Sequence, residues 1–193
     1  MQEIKKCQWA LKTKLEEDYH DTEWGVPIYE DVKLFEALSL ELCQSGLSWH
    51  TILNKREGYR EAFAQFDIKK VAGFDDKKIE SLLLDAGIVR HRAKISAIIN
   101  NAQCILKLQQ EYSSFSDYIW QFTDHKILVG NWSSKDDVPA STELSTLVSK
   151  DMKKKGFKFL GPTTTYAFMQ SVGILNDHTT DCFCFNARLG VSN

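Results

Sequence analysis

Apolar positions recur at helical spacing along almost the whole chain, and alternating Val, Ile or Thr runs are scarce. The stretch DVKLFEALSLELCQS, residues 31–45, predicts a helix opened by Asp31 and closed at Gly46. Ser48 caps the next helix, through WHTILNKR. Asp67 precedes a helical turn, IKKVAGF, and Asp75 caps DKKIESLLLDA, which stops at Gly87. Residues 90–111 read as one long helix and SFSDYIWQF as a shorter one. Thr142 opens TELSTLVSKDMKKK, with Gly156 in the usual position beyond a helix end. GPTTTYAFMQSVG places Pro162 in the first turn of a last core helix. Residues 124–141 read as loop. The pattern predicts an all-α class of about seven to nine helices.

One position breaks the pattern. With Leu34 at zero and about 100° per residue, Leu38, Leu42 and Phe35 fall on one stripe and Glu36 on the outside. Glu41 falls at about −20°, on the edge of the apolar stripe. It is either a boundary acid that reaches water or a base, or a partly buried carboxylate facing a pocket. The second arrangement is costly unless a ligand supplies a cation or hydrogen-bond donors. LCQSGLSW follows directly, with Leu47 and Trp49 at an interhelical turn. Leu47 is a satellite core residue or a wedge for insertion between bases.

Composition narrows the classes. A chain of 193 residues with 43% hydrophobic content and net charge −2 fits one domain spanning 1–193 without a global nucleic-acid footprint. Five cysteines without a repeating spacing argue for reduced thiols or metal ligands, not a secreted disulfide framework. No signal peptide or membrane span is visible, so the cytoplasm is the expected compartment.

Two features suggest local chemistry. LLLDAGIVRHRAKISAI, residues 82–98, is a helix, a turn at Gly87 and a second, basic helix start. Backbone N–H groups there favour a phosphate, with Arg90, Arg92 and Lys94 adding positive charge; the alternative is an ordinary αα-hairpin with a solvated basic end. Cys7 and His20 lie 13 apart near one end of the chain, and His178 and Cys182 lie 4 apart near the other. Two Cys and two His form a closed tetrahedral zinc set, although these spacings match no compact motif. Four unrelated residues, the thiols packing as small hydrophobes, are the alternative, and Cys184 is a competing ligand type.

YHDTEWGVP, LELCQSGLSW, DAGIVRHRAKI, KKKGFKFLGPTTTYAFMQSVG and NDHTTDC occur in one order from about Cys7 to Cys182. In these segments the chain resembles the DNA-3-methyladenine glycosylase I (Tag) family. The resemblance implies a helix-hairpin-helix glycosylase fold of two closely packed helical lobes, with a structural zinc on Cys7, His20, His178 and Cys182 tying the N- and C-termini. It also implies a base pocket formed by Trp9, Tyr19, Glu41 and Trp49, with Glu41 central to catalysis. The hairpin at Gly87, Arg90 and Arg92 is then the DNA-contacting element, and Leu47 the wedge. The implied partner is double-stranded DNA carrying alkylated bases, the implied product is free 3-methyladenine, and the expected state is a monomer.

The chain departs from the resemblance at Glu16, where some family members carry an aromatic, and matches least over residues 126–140. No Asp after the hairpin stands out as a water-positioning group; Asp117 and Asp124 lie downstream unmarked. In YHDTEWGVP, strand-like alternation is expected to aim Tyr19 at the base and His20 at the zinc. The competing readings are a zinc-clamped helical DNA-binding module without catalysis and a catalytic zinc hydrolase.

Overall fold

The computed structural model describes residues 4–188. Eleven α-helical segments fall within them, several only one or two turns long. They are α1 Lys14–Thr22, α2 Asp31–Gln44, α3 Trp49–Asn54, α4 Arg56–Ala62, α5 Ile68–Ala72 and α6 Asp76–Leu83. The rest are α7 Arg92–Glu111, α8 Phe115–Trp120, α9 Glu143–Lys154, α10 Pro162–Ser171 and α11 Phe183–Ala187. No described helix is long and apolar enough to cross a membrane.

Most starts form as the capping residues dictate. The side chains of Ser48, Asp67, Asp75 and Thr142 accept the N–H groups of Thr51, Lys70, Lys78 and Ser145. Pro162 occupies the first turn of α10, and Gly156 follows α9 with φ +95°. Asp31 behaves differently. It is the first helical residue, and its carboxylate accepts the backbone N–H groups of Phe115 and Ser116 and the Gln109 side chain. An acid expected to cap its own helix caps α8, across the core.

α2 runs through the centre, against α3, α7, α8 and α10. Leu34, Leu38 and Leu42 are fully buried on it, as the stripe requires. One continuous apolar core holds most of the buried side chains. A second small cluster contains Cys7, Cys182 and Cys184, flanked by Trp9 and Trp24, where the two ends of the described chain meet.

Residues 124–141 are not wholly loop. Leu128–Val129 (β1) pairs in parallel with Leu175–Asn176 (β2). The Trp132 carbonyl accepts from Thr180 N–H, and the Trp132 indole donates to Asp177 at 2.6 Å. A segment expected at the surface is thereby docked on the C-terminal arm. Its two strand residues are too short a run for periodicity to register.

Candidate active site

Tyr19 and His20 are consecutive in α1, so the helix, not a strand, separates them by about 100°. Tyr19 faces a cavity of about 700 Å³ whose walls also hold Trp9, Trp24, Glu41 and Trp49. The Tyr19 and Trp49 rings lie 5.2 Å apart at 52°, and the Trp9 and Tyr19 rings 6.4 Å apart at 58°. The four expected base-pocket residues therefore line one space, although they come from a 3-10 turn at Gln8–Lys12, α1, α2 and α3.

Glu41 is 6% exposed. Of the two arrangements open to it, the buried one holds. Burial pushes its carboxyl up to about 8, partly offset by the nearby Ser171 hydroxyl. No Lys or Arg forms an ion pair with it among the described residues. Burial thus favours the neutral acid, and a cation beside it would favour the carboxylate.

His20 points away from the cavity and is fully buried. Its Nε2 lies 3.5 Å from Cys182 Sγ, and its Nδ1 hydrogen-bonds Asp21 at 2.8 Å. His178 Nδ1 donates to the Asn176 side-chain oxygen at 2.9 Å, leaving Nε2 buried with no partner. Both imidazoles are therefore oriented through Nδ1 with Nε2 turned inward, the arrangement of metal-ligating histidines. Donor atoms of Cys7, His20 and Cys182 lie within 4.8 Å of one another, and those of His20, His178 and Cys184 do likewise. A set of buried thiols, imidazoles and one orphaned nitrogen suits zinc. Hydrogen bonds from Cys184 and then Cys7 hold the Cys182 thiol well below its usual range. Cys184 belongs to the cluster alongside the four residues expected from the sequence. Trp24 lines the cavity beside Cys7 and joins it to the cluster, stacking on His20 and meeting His178 edge-on at 4.5 Å.

The hairpin forms between α6 and α7, but its parts are used differently from expectation. The Gly87 N–H is occupied by Asp85 Oδ1 at 2.7 Å. The glycine that close packing requires here is the facing Gly58, whose Cβ would lie 2.3 Å from the Gly87 carbonyl oxygen; a Cβ on Gly87 would meet Gly58 Cα at 3.4 Å. Lys55 Nζ also donates to the Ala86 carbonyl, and the Tyr59 hydroxyl accepts from Val89 N–H, so one face of α4 grips the turn. Arg92 pairs with Glu80, whereas Arg90 is exposed and forms no ion pair among the described residues. Lys94 is not a free surface charge. It is buried, and its Nζ donates to the carbonyls of Cys43 and Ser45 at 2.9 and 2.6 Å. Leu47 sits on the next turn, 39% exposed, beyond Gly46 at φ +79°.

The cavity wall contains side chains with no obvious sequence signal. Asp177 accepts from Trp132, Tyr166 and Gln170. Glu16 is buried beside Thr13 and His50. Lys135 and Val138, from the docked segment, complete the lining. Asp117 and Asp124 are exposed and lie outside it.

Residues 9–185 match the family model described as methyladenine glycosylase. The chain is 48% identical over 179 residues to a DNA-3-methyladenine glycosylase of Haemophilus influenzae, covering 93% of this chain and 97% of that one. It is 46% identical over 182 residues to DNA-3-methyladenine glycosylase 1 of Escherichia coli, covering 94% and 97%. A solved structure described as the basis of 3-methyladenine recognition by 3-methyladenine DNA glycosylase I from Staphylococcus aureus superposes with TM-score 0.91 at 39% identity, covering 94% and 97%. With its fold shared and its sequence matched almost end to end, the chain belongs to the methyladenine glycosylase family.

Proposed function

We propose that this chain is a base-excision repair enzyme that hydrolyses the N-glycosidic bond of 3-methyladenine in alkylated double-stranded DNA, leaving an abasic site. The observation that carries the reading is Glu41, a buried acid without a cation partner in an aromatic-walled cavity.

3-Methyladenine in DNA is a cation. It gains about 0.5–2 kcal/mol on each aromatic face that it meets. It also supplies the charge that Glu41 lacks. Normal adenine carries neither the charge nor the methyl group, so the cavity discriminates against it. The base must first leave the stack, at a cost of a few kcal/mol. Leu47 fills the gap, and the hairpin at Gly87 and Arg90 sits against the phosphate backbone. As the bond breaks, its electron pair neutralises the base, and water adds to the sugar carbon and releases a proton. The leaving group needs no protonation, so rate enhancement rests on flipping, orientation and charge complementarity. Among the described residues the lysines that line the cavity are the exposed Lys12 and Lys135, neither of them enclosed as a Schiff-base nucleophile, and the reading is of a monofunctional enzyme.

The cysteine–histidine cluster holds a structural zinc in this reading. Cys7, His20, His178 and Cys182 are its ligands, and it supplies rigidity between the chain ends and the wall carrying Tyr19. Four protein ligands leave no position for a metal-bound water, so the reading of a catalytic zinc hydrolase is not favoured.

The test is chromatography of bases released from methylated duplex DNA, wild type beside Glu41→Ala. Free 3-methyladenine from the wild type and far less from the variant is expected. No released base from folded, zinc-loaded protein would favour a DNA-binding module without catalysis.

A further inference from the structure

Three carboxylates line the cavity: Glu16, Glu41 and Asp177. Asp177 is saturated by three donors. Glu41 meets the base in the reading above. Glu16 is 5% exposed, yet among the described residues it has no cation partner, and the Thr13 hydroxyl is the single donor to its carboxylate, at 3.0 Å to Oε2. A carboxylate accommodates about four hydrogen bonds, so Glu16 retains unused capacity. Burying a charge so poorly paired is costly unless a ligand completes it.

Thr13, two other residues and Glu16 form the T-x-x-E spacing of a capping box, which is the ordinary explanation for an acid here. The geometry departs from it. Thr13 Oγ1 accepts the Glu16 N–H as a normal cap, but the Glu16 carboxylate bonds the hydroxyl rather than closing on the Thr13 backbone N–H. The carboxylate is instead held by a directed chain. Asn54 Nδ2 donates to His50 Nε2, so His50 carries its hydrogen on Nδ1 and donates to Thr13, whose own hydrogen points at Glu16. The side chains around Glu16 also place it towards the mouth. Of the cavity-lining side chains on its side, Lys12 and Ser48 are exposed and Thr13 and His50 half-buried. A nucleotide whose base reaches Glu41 leaves its sugar at the mouth.

We propose that Glu16 is a catalytic carboxylate that stabilises the positive charge arising on the deoxyribose as the glycosidic bond breaks. This rests on the excision reading above. In the starting complex the charge is on the base, where Glu41 meets it. As the bond between sugar carbon and ring nitrogen breaks, its electron pair passes to the base and the sugar becomes the cation. Water then bonds to that carbon and one proton goes to solvent. Glu41 thus favours the ground state, and a second anion nearer the sugar favours the transition state, which is what raises the rate. A carboxylate fixed by the His50–Thr13 chain needs no reorganisation as the charge arrives.

The test separates rate from base binding. Single-turnover release of 3-methyladenine from methylated duplex DNA is measured beside the Kd of free 3-methyladenine, read by tryptophan fluorescence. Glu16→Gln is expected to slow release at least tenfold and to change the free-base Kd less than twofold. Glu16→Asp, which restores the charge, is expected to release base at least threefold faster than Glu16→Gln. An unchanged rate, or a Kd weakened in proportion to the rate, overturns the proposal. So does equal release by the Asp and Gln variants. Should Glu16→Gln fail to fold, Glu16→Ala, which also removes the charge, gives the same reading. A wild type that binds 3-methyladenine but releases none from DNA overturns the excision reading itself, and the role of Glu16 with it.

Discussion

The Lys94 ammonium donates to the Ser45 carbonyl at 2.6 Å and so ties the first turn of α7 to the end of α2. Its second bond, to Cys43, places a positive charge on the C-terminal carbonyls of the helix that carries Glu41. The turn bearing Leu47 begins at that point. One buried side chain therefore ties the hairpin to the turn that carries Leu47. Lys94→Met keeps the stem and removes the donors. Hydrogen bonds from charged groups contribute about 1.5–3 kcal/mol, and a loss of that order is expected in urea denaturation. Excision from duplex DNA is expected to fall further than excision from alkylated single strands, which need no wedge. Equal losses on both substrates would count against Lys94 as a wedge support.

The raised pKa of Glu41 predicts a pH dependence of binding. Below about 8 the empty cavity holds the acid, and a permanently cationic purine must displace its proton. Affinity for 3,9-dimethyladeninium is expected to rise with pH, by up to about tenfold per unit, and to level off above about 8. Glu41→Gln should bind more weakly and lose the slope. Folding carries the opposite sign. The folded state keeps a proton that the unfolded chain loses above the ordinary value of 4.5, so this group lowers stability as pH rises from 4.5 to about 8. Urea midpoints of wild type and Glu41→Gln across that window would reveal it as a difference in slope.

What was legible in the sequence was local. Caps at Ser48, Asp67, Asp75 and Thr142 act within one turn, and Glu41 stood out because helical periodicity places it by the apolar stripe. The base-pocket set of Trp9, Tyr19, Glu41 and Trp49 came from resemblance, and the cavity brings it together. Asp31 and Lys94 were misread for one reason: each has its partners far along the chain, on α8 and at the end of α2. The Gly87 N–H is taken instead by Asp85, two residues away. Tyr19 and His20 were expected to diverge by alternation, and they diverge by helical rotation.

Gly58 packs on the Gly87 backbone so closely that position 58 tolerates no side chain. Gly58→Ala would drive a Cβ against the Gly87 carbonyl. Overpacking of this kind costs about 1–3 kcal/mol. The hairpin turn is the more movable partner, so its displacement from α4 is expected to weaken duplex DNA binding while free 3-methyladenine still binds normally. Calorimetric melting and DNA titration by fluorescence anisotropy check both halves. Unchanged melting and unchanged DNA affinity would show that the contact has slack.

The cysteine–histidine cluster contains more donors than a tetrahedral ion uses, and this makes the ligand set testable. Cys182→Ser is expected to lower zinc content and melting temperature together, because binding free energy at such a site is folding free energy. Cys184→Ser should leave one zinc per chain if Cys7, His20, His178 and Cys182 are the ligands. Zinc fully retained in Cys182→Ser and lost in Cys184→Ser would reassign the sulfur ligand to Cys184. Gly25→Ala probes the same centre without touching a donor. Its Cβ would meet His178 Cε1 at 2.8 Å, and its φ of +73° is strained for alanine. It should loosen zinc and lower the melting temperature with every ligand intact, as read by metal analysis after dialysis against a chelator. Metal retention equal to wild type would show that His178 has another position from which to bind.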